Sequence, residues 1–164
     1  MGIWPKREKL PAELASVIPR GAKVLAWARV PGGFLVATAE ALIHVNADET
    51  KVIPWGYTLQ ARWEAPTLNV TIQATPQSAP VQMSWLITEP GLIPVAVRDR
   101  VTAAVVIDQF HEVEGIGRVL FIARRVFGEI VWTAVPDNQE LANTEVGQLA
   151  IGEELRILQA NLGI

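Results

Sequence analysis

The chain contains no cysteine among its 164 residues. That excludes a disulfide framework, a thiolate nucleophile and any Cys-ligated zinc site. Histidine is nearly absent too. His44 and His111 lie far apart in the sequence, so no spacing suits a two-histidine metal site. Serine occurs only at Ser16, Ser78 and Ser84, none of them in a G-x-S-x-G turn. Charge is sparse: Asp, Glu, Lys and Arg make up 19% of the chain, with a net charge of −3, against ~25% in a typical globular domain. A chain this acidic carries no basic field to draw nucleic acid. No apolar run approaches the ~20 residues of a spanning helix. Lys6, Arg7 and Lys9 are not followed by an apolar stretch, which predicts no secretory leader and a cytoplasmic protein.

What remains is apolar and punctuated. Hydrophobic residues form 50% of the sequence. With so few charges to cover its exterior, the chain is expected to hide apolar area against another chain. Residues 1–22 read as a loose arm and a short helix, with Leu14, Val17 and Ile18 on one face. Strands follow at Lys23–Val30, then Phe34–Thr38 continuing into Leu42–Val45 across a break at Ala39-Glu40, then Lys51–Ile53. Period-two alternation is plain in Leu59, Ala61 and Trp63, in Leu68, Val70 and Ile72, and in Val81, Met83, Trp85 and Ile87. One polar side per strand predicts antiparallel pairing around a single core. From Pro94 the period turns helical, with Ile93, Val97, Val101 and Ala104 on one stripe.

Residues 107–164 read as a three-stranded meander and a C-terminal helix. Gly115-Ile116-Gly117 and Phe127-Gly128 are the hairpin turns. Asp137 and Glu140 have capping-box spacing, and Gly147 and Gly152 predict a break or kink. The fold class is α+β: an antiparallel barrel over 23–106 closed by its helix, with the meander and last helix packed onto it as one globular unit.

The block Gly21-Ala22-Lys23-Val24-Leu25-Ala26-Trp27, Ala37-Thr38 and Val52-Ile53-Pro54-Trp55 resembles the opening of bacterial PH-like (GRAM-like) domains. Leu92-Ile93-Pro94 and Arg98-Asp99-Arg100-Val101-Thr102-Ala103 resemble a stretch of small uncharacterised proteins of high-GC Gram-positive bacteria. The resemblance covers about two-thirds of the chain. It implies a PH-like barrel acting as a binding or docking platform, and it brings no catalytic residues. It departs from inositol-phosphate binders at the first hairpin, Val30-Pro31-Gly32-Gly33-Phe34, where only Lys23 and Arg29 are basic. Two cations do not build a multi-donor phosphate cage, so no inositol phosphate is expected.

Six tryptophans against one tyrosine supply the candidate anchors. Trp27 shares a strand face with Lys23 and Arg29. Trp55, beside Pro54 and Gly56, and Trp132, in the last strand, are candidates for an interface, where Trp is enriched. The competing reading makes all of them core anchors. Around His111, the acids Asp108, Glu112 and Glu114 fall on the opposite strand face, which scatters a metal site. No catalytic, cofactor or metal-binding residue is expected. The leading expectation is therefore a non-enzymatic intracellular protein-binding or scaffold domain that self-associates. The alternatives are anionic-lipid association through Lys6, Arg7 and Lys9, and a small-ligand binder or enzyme using a barrel pocket.

Overall fold

The computed structural model describes residues 9–74 and 79–164, so the expectations for the loose arm before Lys9, with Lys6 and Arg7, and for Ser78 fall outside the described residues. A short helix α1 (Ala12–Ala15) precedes a four-stranded antiparallel meander of β1 (Val24–Val30), β2 (Gly33–Thr38), β3 (Ala41–Asn46) and β4 (Thr50–Pro54). The stretch from Phe34 to Val45, expected to be one interrupted strand, is a hairpin. Its cause is Thr38. The hydroxyl accepts from the amides of Glu40 (3.3 Å) and Ala41 (3.1 Å) and donates to the Ala41 carbonyl (3.0 Å). That side-chain turn satisfies the backbone groups that reversal would orphan. The register of β2 on β3 also requires a glycine at 33, where a Cβ would strike the Val45 carbonyl.

A second sheet, β5 (Thr58–Glu64), β6 (Thr67–Ile72) and β7 (Val81–Leu86), is again an antiparallel meander. The two sheets do not close into the expected barrel. β4 ends at Pro54, which has no N–H to donate to a ladder. The chain then makes a 3-10 turn, Trp55–Tyr57, and restarts in the other sheet. The result is an open two-sheet arrangement around one core. Leu35, Ala37, Leu42 and Ile53 of the first sheet meet Leu68, Val70 and Trp85 of the second, and helix α2 (Ile93–Ala104) covers them with Ile93, Val97 and Ala104. Each such aliphatic side chain contributes about 1.5–3 kcal/mol on burial.

β2 is buried on both faces, which explains its unbroken apolar run Phe34-Leu35-Val36-Ala37. Leu35 and Ala37 face the second sheet, while Val36 packs under Leu14 of α1 beside Ile43. The short N-terminal helix is thus fixed by one fully buried leucine.

The remainder is a third antiparallel sheet, β8 (Val105–Val113), β9 (Gly117–Val126) and β10 (Glu129–Pro136), with β9 central. One face carries Val119, Phe121, Ala123 and Trp132 against helices α3 (Gln139–Ala142) and α4 (Glu145–Leu162), through Ala142, Ile151 and Leu158. The C-terminal region is two helices. Asn138 caps α3 by accepting from the Leu141 amide, and Thr144 caps α4 by accepting from the Gly147 amide. The expected Asp137 cap is instead engaged by Arg118 at 3.0 Å. Gly147 and Gly152 lie inside a continuous α4, and the break falls at Asn143-Thr144. Gly147 permits it, because a Cβ there would strike the Leu141 carbonyl. The third sheet meets the 3-10 turn at Gly56, which lies directly on the Arg125 carbonyl and the Val126 side chain.

Candidate functional site

The structure groups two of the four expected anchors and separates the others. Trp27 and Phe34 lie on the α1 side of the first sheet with ring centroids 6.2 Å apart. The Arg29 guanidinium sits 5.9 Å from the Trp27 ring and 5.2 Å from Phe34. This cation–π cluster occupies the exposed edge of the α1 cluster. Trp55 and Trp132 are 3% and 9% exposed and belong to different cores. The Trp55 indole donates from Nε1 to the Thr38 carbonyl at 2.9 Å. Its amide donates to the Glu40 carbonyl. Trp55 therefore locks the 3-10 turn to the β2–β3 hairpin. Both rings are covered by their own chain, the core-anchor reading of these two residues.

Each histidine is held by side chains of a neighbouring element. His111 Nδ1 is 2.7 Å from Glu154 Oε1, and Nε2 is 3.3 Å from Gln109 Oε1. The ring stands edge-on to Phe121. This pair joins β8 to α4 with no Ser, Thr or Lys partner in its hydrogen bonds. His44 packs edge-on against Trp85 of the opposite sheet, centroids 5.6 Å apart. Burial pushes its pKa below the usual imidazole value; Glu49 opposes the shift and Lys51 adds to it. Among the described residues, no group of three or more His, Asp or Glu could hold a metal ion. Among them, too, no helix is long and apolar enough to cross a membrane.

Two surfaces stand out that the individual residue types did not announce. The first is on α4. Ile151 and Leu158 face the sheet, Gly147 faces the end of α3, and all three are buried. Val146 and Leu149 are 76% and 69% exposed, the most exposed of the chain's large aliphatics among the described residues, and Ile157 is 43% exposed. At 100° per residue, Val146, Leu149, Ile157 and Ala160 fall on one outer face, with Glu153 among them. It points away from the sheet, and Leu141 of α3 and Ile164 beyond the helix end are exposed as well. The stripe has the i, i+3, i+11, i+14 spacing of a helix contact face and was legible in the sequence.

The second surface is a groove of about 150 Å³ where three parts of the chain converge. The β2–β3 turn contributes Ala39 and Glu40, the last turn of α2 contributes Arg100, Ala103 and Ala104, and the β9–β10 hairpin contributes Arg125, Phe127 and Gly128; Trp55 completes the lining.

No protein-family model, no curated protein and no solved structure matches the chain.

Proposed function

We propose that the protein is a non-enzymatic cytoplasmic binding domain that self-associates through the outer stripe of α4, with a PH-like unit over residues 23–106. The order of the two meanders followed by a covering helix supports the PH-like reading, beside the sequence resemblance. The exposed Val146, Leu149 and Ile157 carry the self-association reading. A second copy of the chain suits this surface better than anionic lipid does. α4 carries Glu145, Glu153 and Glu154 against the single cation Arg156, and that arginine is already paired to Glu153 at 2.6 Å. A basic polar face is what lipid headgroups attract.

The size of the stripe sets the strength. Eighteen residues at 1.5 Å each make a helix about 27 Å long, and a strip about 10 Å wide exposes roughly 300 Å² per copy. A contact well below the ~800 Å² per partner of a standard interface makes a weak dimer, with a dissociation constant of about 100 µM. Sedimentation velocity across a concentration series tests this. The wild type is expected to shift from monomer to dimer around that concentration, and Leu149→Asp to remain monomeric. A wild type that stays monomeric throughout, or a variant that associates equally well, contradicts the reading.

A further inference from the structure

The groove between the β2–β3 turn, the end of α2 and the β9–β10 hairpin carries two cations that the fold leaves uncompensated. Arg100 and Arg125 both line it, and neither forms an ion pair with another described residue. Four other arginines are ion-paired, Arg62 to Glu64, Arg98 to Asp99, Arg118 to Asp137 and Arg156 to Glu153. Arg20, Arg29 and Arg124 also lack an ion pair among the described residues but stand outside the groove, which is where two such cations line one concavity. Glu40 lines the same groove and makes no ion pair either, so the groove holds two guanidinium groups against one carboxylate. The walls are rigid where the cations are rooted. Trp55 is tied to Thr38 and Glu40 by two hydrogen bonds, and the Arg125 carbonyl lies against Gly56. The third wall is held in an unusual backbone. Phe127 has φ of 47° and Gly128 has φ of 87°, the left-handed pair of a tight hairpin turn. A bulky residue at the first of those positions is an outlier. The turn presents the Phe127 ring, 59% exposed, beside the groove.

We infer that this groove binds a compact oxyanion, a phosphate monoester or a carboxylate, held by Arg100 and Arg125 on a ligand whose apolar stem lies against Phe127. Guanidinium forks match the oxygens of both anions and bind them with charge-assisted hydrogen bonds. The volume admits one such headgroup with a short stem and no polyphosphate cage. The site is separate from the first hairpin, where the inositol-phosphate donors were missing, and it is independent of α4, so it stands whether or not the chain self-associates.

The test is an amide and indole chemical-shift titration of the full chain with phenyl phosphate, and separately with benzoate and inorganic phosphate. Saturable shifts are expected at Ala39, Gly128 and the Trp55 indole, with millimolar affinity. The tighter of phenyl phosphate and benzoate identifies the headgroup. Binding weaker for inorganic phosphate than for phenyl phosphate supports the apolar stem. Arg100→Gln and Arg125→Gln are each expected to weaken binding about tenfold, the equivalent of one charge-assisted hydrogen bond. Glu40→Gln is expected to tighten it about twofold by removing a like charge. Unchanged resonances away from the groove verify that each variant folds. The proposal is overturned if neither organic anion gives saturable shifts in the groove, or if the shifts survive loss of both arginines.

Discussion

Replacing Gly56 with alanine should destabilise the protein out of proportion to the single methyl added. The glycine has no left-handed φ, so alanine suffers no conformational strain there. The cost is steric. A Cβ would overlap the Arg125 carbonyl oxygen and the Val126 methyl, and come within 2.9 Å of the Arg125 carbonyl carbon. Backbone cannot rotate away as a flexible side chain can. Relief requires the 3-10 turn to lift off β9, and the turn is held by Trp55, 3% exposed and hydrogen-bonded to Thr38. Overpacking of this kind costs about 1–3 kcal/mol. The backbone collision places Gly56→Ala near 3 kcal/mol, a fall in Tm of about 6–12 °C for a domain of this size. Gly152→Ala is the matched control. It sits on the exposed side of α4 with nothing within 4 Å of the added carbon, and should stabilise by about 0.5–1 kcal/mol through helix propensity. Urea and thermal unfolding of both variants decide the matter. Gly56→Ala within about 1 kcal/mol of the wild type would refute the close junction between the 3-10 turn and the third sheet.

Two further perturbations follow from buried groups. His44 is held below its ordinary pKa by burial, so the unfolded chain binds a proton more readily than the folded one. Stability should therefore be full above the unfolded value of about 6.5 and decline as the pH falls through it toward the lower folded value. The drop in urea midpoint between pH 7.5 and 5.5 should be smaller in His44→Phe, and an equal drop in both proteins would dismiss this source. Arg124 is 6% exposed, has one hydrogen bond, to the Thr133 hydroxyl at 3.2 Å, and has no partner for Nε. Burial depresses its pKa, the mark of a cation that is poorly solvated. Arg124→Met keeps the length of the side chain and removes the charge. It should leave stability unchanged or raise it by about 1 kcal/mol, whereas a loss of 3 kcal/mol or more in Tm or urea analysis would show that the charge is compensated.

The strands of this fold were legible because their signals are local. Alternation in Leu68, Val70 and Ile72 and the helical stripe of Ile93, Val97 and Ala104 each specify an element and its buried face. The misread parts depend on interactions at short range that periodicity does not carry. A single threonine hydroxyl converted one expected strand into two. Asn138 and Thr144 outcompeted Asp137 as helix caps, because Arg118 holds the aspartate from the adjoining strand. Closure of the barrel failed at Pro54, where the absent N–H was visible but its consequence for two sheets was not. The groove was not legible at all, since Glu40, Arg100 and Arg125 are brought together only by tertiary packing. The α4 stripe was readable in principle. It shares the helix with a second stripe, the one that packs on the sheet.

The central claim is that α4 presents its outer face to a second copy, and the absence of cysteine makes a direct measurement possible. A single thiol introduced by Leu149→Cys, in the most exposed part of the stripe near the start of α4, can be oxidised or bridged with a short bis-maleimide at about 100 µM protein. Phe110→Cys, on the other face of the third sheet and 56% exposed, serves as the reference position. The account requires efficient covalent dimer at 149, lost on dilution and suppressed by a second substitution Val146→Asp, with little dimer at 110. Equal cross-linking at the two positions, or none at 149, would contradict it.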